Sequence, residues 1–213
     1  MKVLLCESAA APLTAVEGLL SHASDVDIVA IARTGRDAID AMNTLEVDLS
    51  IHSTATVELA TLIRPALNGA VASSVKRVVA STDPSAPLVV RAHQFGFDGV
   101  ISVPETPGEL AAALLDVLAG RSTLASHPLV TRLGLTPGML DKRLTLSSRE
   151  ETDVADLLRV GLGDDEIAEA LDVPKQTVRN RIAEMIHSNG LATRTQLAVL
   201  VAVNVHIPDF SQE

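Results

Sequence analysis

The sequence predicts an α/β fold: a doubly wound parallel sheet of five strand–helix repeats, followed by a smaller all-α domain. Two patterns carry this expectation. Over the first 120 residues short apolar runs alternate with helix-length amphipathic stretches, and after Arg143 only helical periodicity remains. Composition agrees. Of the 213 residues 47% are hydrophobic, with no Trp, no Tyr and three Phe, so the core must be Leu, Val, Ala and Ile, which suits helices laid on a parallel sheet.

The elements follow in order. Lys2–Cys6, Val26–Ala32, Val47–His52, Arg77–Ser81 and Gly99–Val103 are compact, β-branched runs of the kind buried on both faces of a parallel sheet. Between and after them, Pro12–Ala23, Gly35–Leu45, Val57–Leu67, Ala86–Gly96 and Thr106–Gly120 have helical length and patterning. In such sheets ligands gather beyond the carboxyl ends of the strands, so Cys6–Ser8, His52–Ser53, Ser81–Thr82 and Ser102–Val103 are expected around one crevice. Residues 1–120 form this domain. Residues 121–143, with scattered turn formers and one helix near Pro128–Leu133, read as a linker. Residues 144–213 carry four helices at Ser148–Val160, Asp164–Leu171, Pro174–Asn189 and Thr193–Val203.

Other classes are disfavoured. A single cysteine, Cys6, excludes an internal disulfide, and with no signal peptide a reducing cytoplasm is expected. The longest apolar run, Leu197–Val203, is too short to span a bilayer. A formal charge of −10 argues against nucleic-acid binding by the whole surface, though not by a local basic patch. No Gly-rich phosphate loop appears, and no cofactor or catalytic group is expected.

The most informative segment is "DDEIAEALDVPKQTVRNRIAEMI", Asp164–Ile186. Asp164 and Asp165 suit a helix start, where free amides and the dipole favour carboxylates. After a break at Asp172–Val173, Pro174 suits the first turn of a second helix. In that helix Val178, Ile182, Met185 and Ile186 share one face, while Gln176, Arg179, Asn180, Ala183 and His187 share the opposite one. Two helices with a tight turn and a polar outer face on the second make a helix-turn-helix. Arg can pair with guanine and Asn or Gln with adenine; Arg181, Lys175 and Arg194 would meet phosphate. Between Pro174 and Thr195 four basic residues face one acid, Glu184.

Ser147–Ala202 resembles the LuxR/FixJ-type helix-turn-helix of NarL-like response regulators, through "SSRE" (Ser147–Glu150), "GLGDDEIAEAL" (Gly161–Leu171), "TVRNRI" (Thr177–Ile182) and "GLATRTQLA" (Gly190–Ala198). "GFDGVISVPETPGEL" is similar to a receiver's last strand and helix, so the resemblance spans almost the whole chain. It implies a DNA-binding regulator with double-stranded DNA contacts at Lys175, Gln176, Thr177, Arg179, Asn180, Arg181, Ala183, His187 and Arg194. There are departures. Arg181 and Arg179 stand where the family has His and Lys, Ser188 and Asn189 replace a basic residue and Leu, and Asp164 and Asp165 replace polar or basic residues.

The resemblance also implies a phosphorylation pocket, and here it is degenerate. In a receiver two acids and an Asp hold Mg²⁺, the Asp takes the phosphoryl group, and a hydroxyl and a Lys read it. The corresponding residues are Glu7 and Ser8, Ser53, Ser81 and Val103. One carboxylate with neutral hydroxyls is a poor Mg²⁺ set, an unactivated serine is a weak nucleophile, and valine neutralises nothing. Control by aspartyl phosphorylation is therefore not expected, and this domain is left with an unknown small ligand or partner protein as its input. A Ser53–His52–Glu7 triad is disfavoured because adjacent strand residues face opposite ways. His52 reads as a packed histidine rather than a metal ligand, and Cys6 as a buried apolar residue.

Finally, Thr195–Val205 is apolar all round if helical, which predicts an exposed strip and a homodimer with Leu197, Leu200 and Val201 at its axis, binding an inverted repeat. The apolar helix Glu109–Leu118 is a second candidate surface. The alternative is an interaction or ligand-sensing module with weak or no DNA binding, supported by the acidic C-terminal domain.

Overall fold

The computed structural model describes residues 1–8, 13–56 and 75–204. The helix expected at Val57–Leu67 lies outside them. The chain divides into two compact units, Met1–Thr131 and Arg132–Glu213.

The first unit is built on five parallel strands, β1 (Lys2–Cys6), β2 (Asp27–Ala32), β3 (Leu49–Ser53), β4 (Lys76–Ser81) and β5 (Gly99–Ser102), in the order β2-β1-β3-β4-β5. The order reverses at β1, so the topological switch lies between β1 and β3. Strand β3 starts two residues later than its apolar run. Asp48 spends its carboxylate on the Lys2 amide (2.7 Å) and its own amide on the Lys2 carbonyl (2.9 Å) before the ladder begins. The strand then extends to Ser53, which sits opposite Ala80.

Alternation sorts the strands onto two cores. Val3, Leu5, Leu49, Ile51, Val78 and Ile101 pack under α1 (Thr14–Leu20), with Leu110, Leu114 and Val117 of a later helix on the same face. Leu4 and Cys6 face the other way, against Ala38 and Met42 of α2 (Gly35–Thr44). Helix α3 (Ala86–Gln94) packs on β5, and α4 (Pro107–Leu118) supplies those last three residues. Thr34 and Asp37 close a reciprocal capping box on α2, and Ser85 and Thr106 cap α3 and α4. Gly99 is needed where β5 passes α4: an added Cβ would lie 3.0 Å from Val117 Cγ2.

The stretch read as a linker carries a 3₁₀ turn at Leu124–Ser126 and two short helices, α5 (Pro128–Arg132) and α6 (Pro137–Leu140). The second unit continues with α7 (Arg149–Arg159), α8 (Asp164–Ala170), α9 (Lys175–Ser188) and α10 (Arg194–Val203). Its core holds Val154, Leu158, Ile167, Val178, Ile182, Met185, Leu197 and Leu200. Three amides tie the preceding segment to these helices. Gln196 Nε2 donates to the Leu133 and Gly134 carbonyls, both at 3.0 Å. Asn189 accepts from the Thr145 amide (2.9 Å) and donates to the Thr145 carbonyl (3.0 Å). Asn204 donates to Lys142 O at 3.4 Å.

One sequence expectation is corrected here. The strip expected to lie exposed on the last helix is not exposed: Leu197, Leu200 and Val201 are buried in the single chain, with α10 packed on α7 and α9. The remaining accessible face of α10 holds Thr195, Ala198 and Ala202.

Candidate nucleic-acid interface

Helices α8 and α9 meet through a tight turn whose geometry is local. Asp172 takes a left-handed backbone (φ 51°), the Val173 amide reaches back to Ala168 O at 3.0 Å, and the Asp172 amide to Glu169 O at 3.3 Å. This is the paired hydrogen-bond pattern of a Schellman end, with Asp where glycine is usual. Pro174 then starts α9. Val178, Ile182 and Met185 anchor that helix, and the opposite side leaves Gln176, Arg179, Asn180, Ala183 and His187 exposed together. Gln176 Nε2 donates to Asn180 Oδ1 at 2.9 Å, which aligns the two amides one turn apart.

Lys175, Thr177, Arg181 and Arg194 are half-buried. Arg181 and Thr177 do not join the exposed face. They line a hollow of about 150 Å³ with Glu150, Asp153, Leu171 and Val173. The Glu150 carboxyl is held below its ordinary value by its own backbone amide, then by the Ser148 hydroxyl and by the Arg181 charge.

The acids of α8 take partners that the sequence reading did not assign to them. Lys175 Nζ meets Asp165 at 2.7 Å. Arg194 Nη1 meets Asp164 Oδ1 at 2.7 Å, and Arg179 Nε approaches Asp164 Oδ2 at 3.4 Å. Arg194 also donates to Leu162 O at 3.1 Å. Three of the four cations assigned to DNA thus already hold carboxylates. The signal was present as two acids opening the helix before the turn, but a helix-dipole role accounts for them equally well in sequence.

At the strand tips of the first unit, Ser53, Ser81 and Val103 come together around a hollow of about 160 Å³, with Leu13, Val16 and Thr82. Glu7 and Ser8 lie outside its lining. The Glu7 carboxylate accepts from the Leu13 amide (2.9 Å) and from Arg33 Nε (3.3 Å). Ser81 Oγ accepts from the Asp83 amide at 3.2 Å. The hydroxyls of Ser8 and Ser53 are buried and make no hydrogen bond to described residues. These residues do not fit Mg²⁺: the one carboxylate is already bonded to Arg33 and an amide, and the other groups are neutral.

The remainder of the expected crevice faces elsewhere. His52 is buried, with Nε2 3.0 Å from Ser50 Oγ and its ring edge-on to Phe97 at 5.0 Å. Burial, and then the charge of Arg77, lower its pKa to about 3, so the imidazole is neutral. It is a packed histidine and does not meet Ser53. Burial pushes the Cys6 thiol up to about 12, which removes the thiolate a redox sensor needs.

The chain is thus a five-stranded parallel α/β unit followed by an all-helical unit that holds a helix-turn-helix. Known proteins agree. The chain is 27% identical over 199 residues to the nitrate/nitrite response regulator protein NarL of Escherichia coli (strain K12), covering 88% of each chain. It is 25% identical over 217 residues to the transcriptional regulatory protein LnrK of Bacillus subtilis, covering 93% of this chain and 95% of that one. It is 33% identical over 93 residues to the DNA-binding transcriptional activator DevR/DosR of Mycobacterium tuberculosis, 43% of each. No protein-family model matches the chain. Among solved structures, the response regulator RcsB in complex with DNA superposes with a TM-score of 0.59 at 18% identity, covering 95% of this chain and 98% of that one. RcsB from Salmonella enterica serovar Typhimurium, bound to a promoter with a phosphomimetic, gives 0.55 at 17% identity over 95% and 98%. The chain's homologues are thus response regulators of the NarL/LuxR family, and it shares their two-domain fold.

Proposed function

We propose that this chain is a cytoplasmic, sequence-specific DNA-binding transcription regulator that acts as a dimer on an inverted repeat and is not switched by aspartyl phosphorylation. The observation that carries the DNA reading is the exposed row Gln176, Arg179, Asn180, Ala183 and His187 on a helix anchored by three buried residues. This row offers the donors and acceptors that base edges in the major groove require. Arg179 and Asn180 read bases, with Gln176 beside them, while Lys175, Arg194 and Arg181 meet phosphate after exchanging their present acidic neighbours. The names of NarL, LnrK, DevR/DosR and the RcsB–DNA complexes support the same class.

Phosphate independence rests on the neutral pocket around Ser53 and Val103. Dimerisation is assigned to the accessible face of α10, Thr195, Ala198 and Ala202, in place of the buried residues next to it.

A second reading, an interaction module with little DNA affinity, is favoured by one observation: Asp164 and Asp165 occupy Lys175, Arg179 and Arg194. Selection of bound fragments from a random duplex library separates the two. An enriched palindromic sequence supports the first reading, and failure to enrich any sequence at low salt supports the second.

A further inference from the structure

The hollow at the tips of β3, β4 and β5 has chemistry that DNA binding leaves unused. It opens beside the switch point of the sheet, where α/β folds bind their ligands. Leu13, Val16 and Val103 give it an aliphatic side, and Ser53, Ser81 and Thr82 a hydroxyl side. Among the described residues no charged side chain lines it. Ser53 is 3% exposed, and its Oγ has no hydrogen-bond partner among the described residues. By alternation Ser53 shares the β3 face of Leu49 and Ile51, which turns its hydroxyl toward Val16 and the hollow. Ser81 differs, because its oxygen is already occupied by the Asp83 amide. A buried hydroxyl without a partner is costly, so Ser53 is the group a ligand would satisfy.

The lining also selects a ligand class. An anion would enter without a counter-charge, since Val103 offers none, and the carboxylate a cation would need, Glu7, is held by Arg33 and the Leu13 amide. A cation would find only neutral oxygens. Desolvating either ion here would go uncompensated. A volume of about 160 Å³ is close to that of apolar cavities that accept one benzene.

We propose that this hollow is a binding site for a small uncharged molecule, one ring in size, whose amide or hydroxyl group bonds Ser53 Oγ while its apolar body lies against Leu13, Val16 and Val103. The site is built from residues of the first unit alone and uses none of α9, so its failure would leave the DNA reading intact.

The test titrates the full chain with benzamide and with its charged isostere benzoate, following amide and methyl resonances. Benzamide is expected to shift Val16, Ser53 and Val103 saturably, and benzoate is not. S53A should weaken benzamide about three- to tenfold, the range one neutral hydrogen bond spans, with the remaining resonances unmoved as proof of folding. V103K places a cation at the rim and should reverse the preference, so that benzoate binds at least about tenfold better than to the parent. No saturable shift with either probe, equal binding of both to the parent, an S53A titration identical to the parent's, or no gain of benzoate in V103K would each overturn the assignment.

Discussion

Two buried residues of the first unit, Cys6 and His52, fix what its strands cannot do: the thiol is held protonated and the imidazole neutral. His52 is neutral because its pKa is lowered to about 3 by burial and by Arg77. In the unfolded chain the same imidazole titrates near its ordinary value, so between the two values the unfolded state binds the extra proton. Stability contributed by neutral His52 is complete above that ordinary value and is lost as pH falls towards 3. Urea unfolding at several pH values should show the parent losing up to about 1.4 kcal/mol per pH unit more than His52→Gln across this window. Parallel slopes for the two proteins would contradict the buried, neutral assignment. On α9, Arg179→Ala and Asn180→Ala should each cost about 1–3 kcal/mol on the selected sequence, measured by fluorescence anisotropy. Arg181→Ala should cost less, because its side chain lines the hollow with Glu150 instead of the exposed face. At this scale the sequence is readable where the neighbours in the run decide the setting, as with His52, expected to be packed and found buried against Ser50 and Phe97. It is not readable where function depends on a distant partner. Nothing about Asn189 or Gln196 in the sequence announces that each holds a backbone carbonyl more than 40 residues away.

At the scale of elements, the turn between α8 and α9 and the acids beside it set how the second helix is presented. Asp172 bears a left-handed backbone that glycine adopts freely, so Asp172→Gly should stabilise the second unit by about 0.5–1 kcal/mol. Thermal unfolding checks this, and a destabilised variant would mean that the Asp side chain itself holds the turn. Asp164 touches both Arg179 and Arg194 across half-exposed pairs worth little each in water. Asp164→Asn should therefore leave stability nearly unchanged while tightening DNA about three- to tenfold at low salt and steepening the salt dependence by about one counterion. Weaker DNA binding by this variant would give Asp164 a positioning role instead. The strands and long helices were legible because their apolar periodicity is local; β1 coincides with its run, and α9 falls one residue inside its expected ends. The fate of α10 was not legible. An all-apolar helix gives no indication of how many of its faces the rest of the chain covers, and α7 and α9 cover the side that carries Leu197 and Leu200.

For the whole molecule, that burial changes which variants probe assembly. Leu200 is fully buried, so Leu200→Asp should unfold the second unit, as charges forced into cores do. Ala198→Arg is the informative change: sedimentation should show the parent as a dimer at micromolar concentration and this variant as a folded monomer. An unchanged mass would move the interface elsewhere, with α4 and its exposed Leu115 the next surface to alter. On the proposed reading, DNA is bound through α9 whatever the phosphorylation chemistry around Ser53. The most direct test of this reading is the affinity of the full chain for its selected duplex, measured by anisotropy with and without acetyl phosphate and Mg²⁺. The expected result is one salt-dependent dissociation constant, the same under both conditions, and no phosphoryl adduct by intact mass. Affinity that rises on phosphodonor treatment together with an acid-labile adduct, or no sequence-selective binding in either condition, would contradict it.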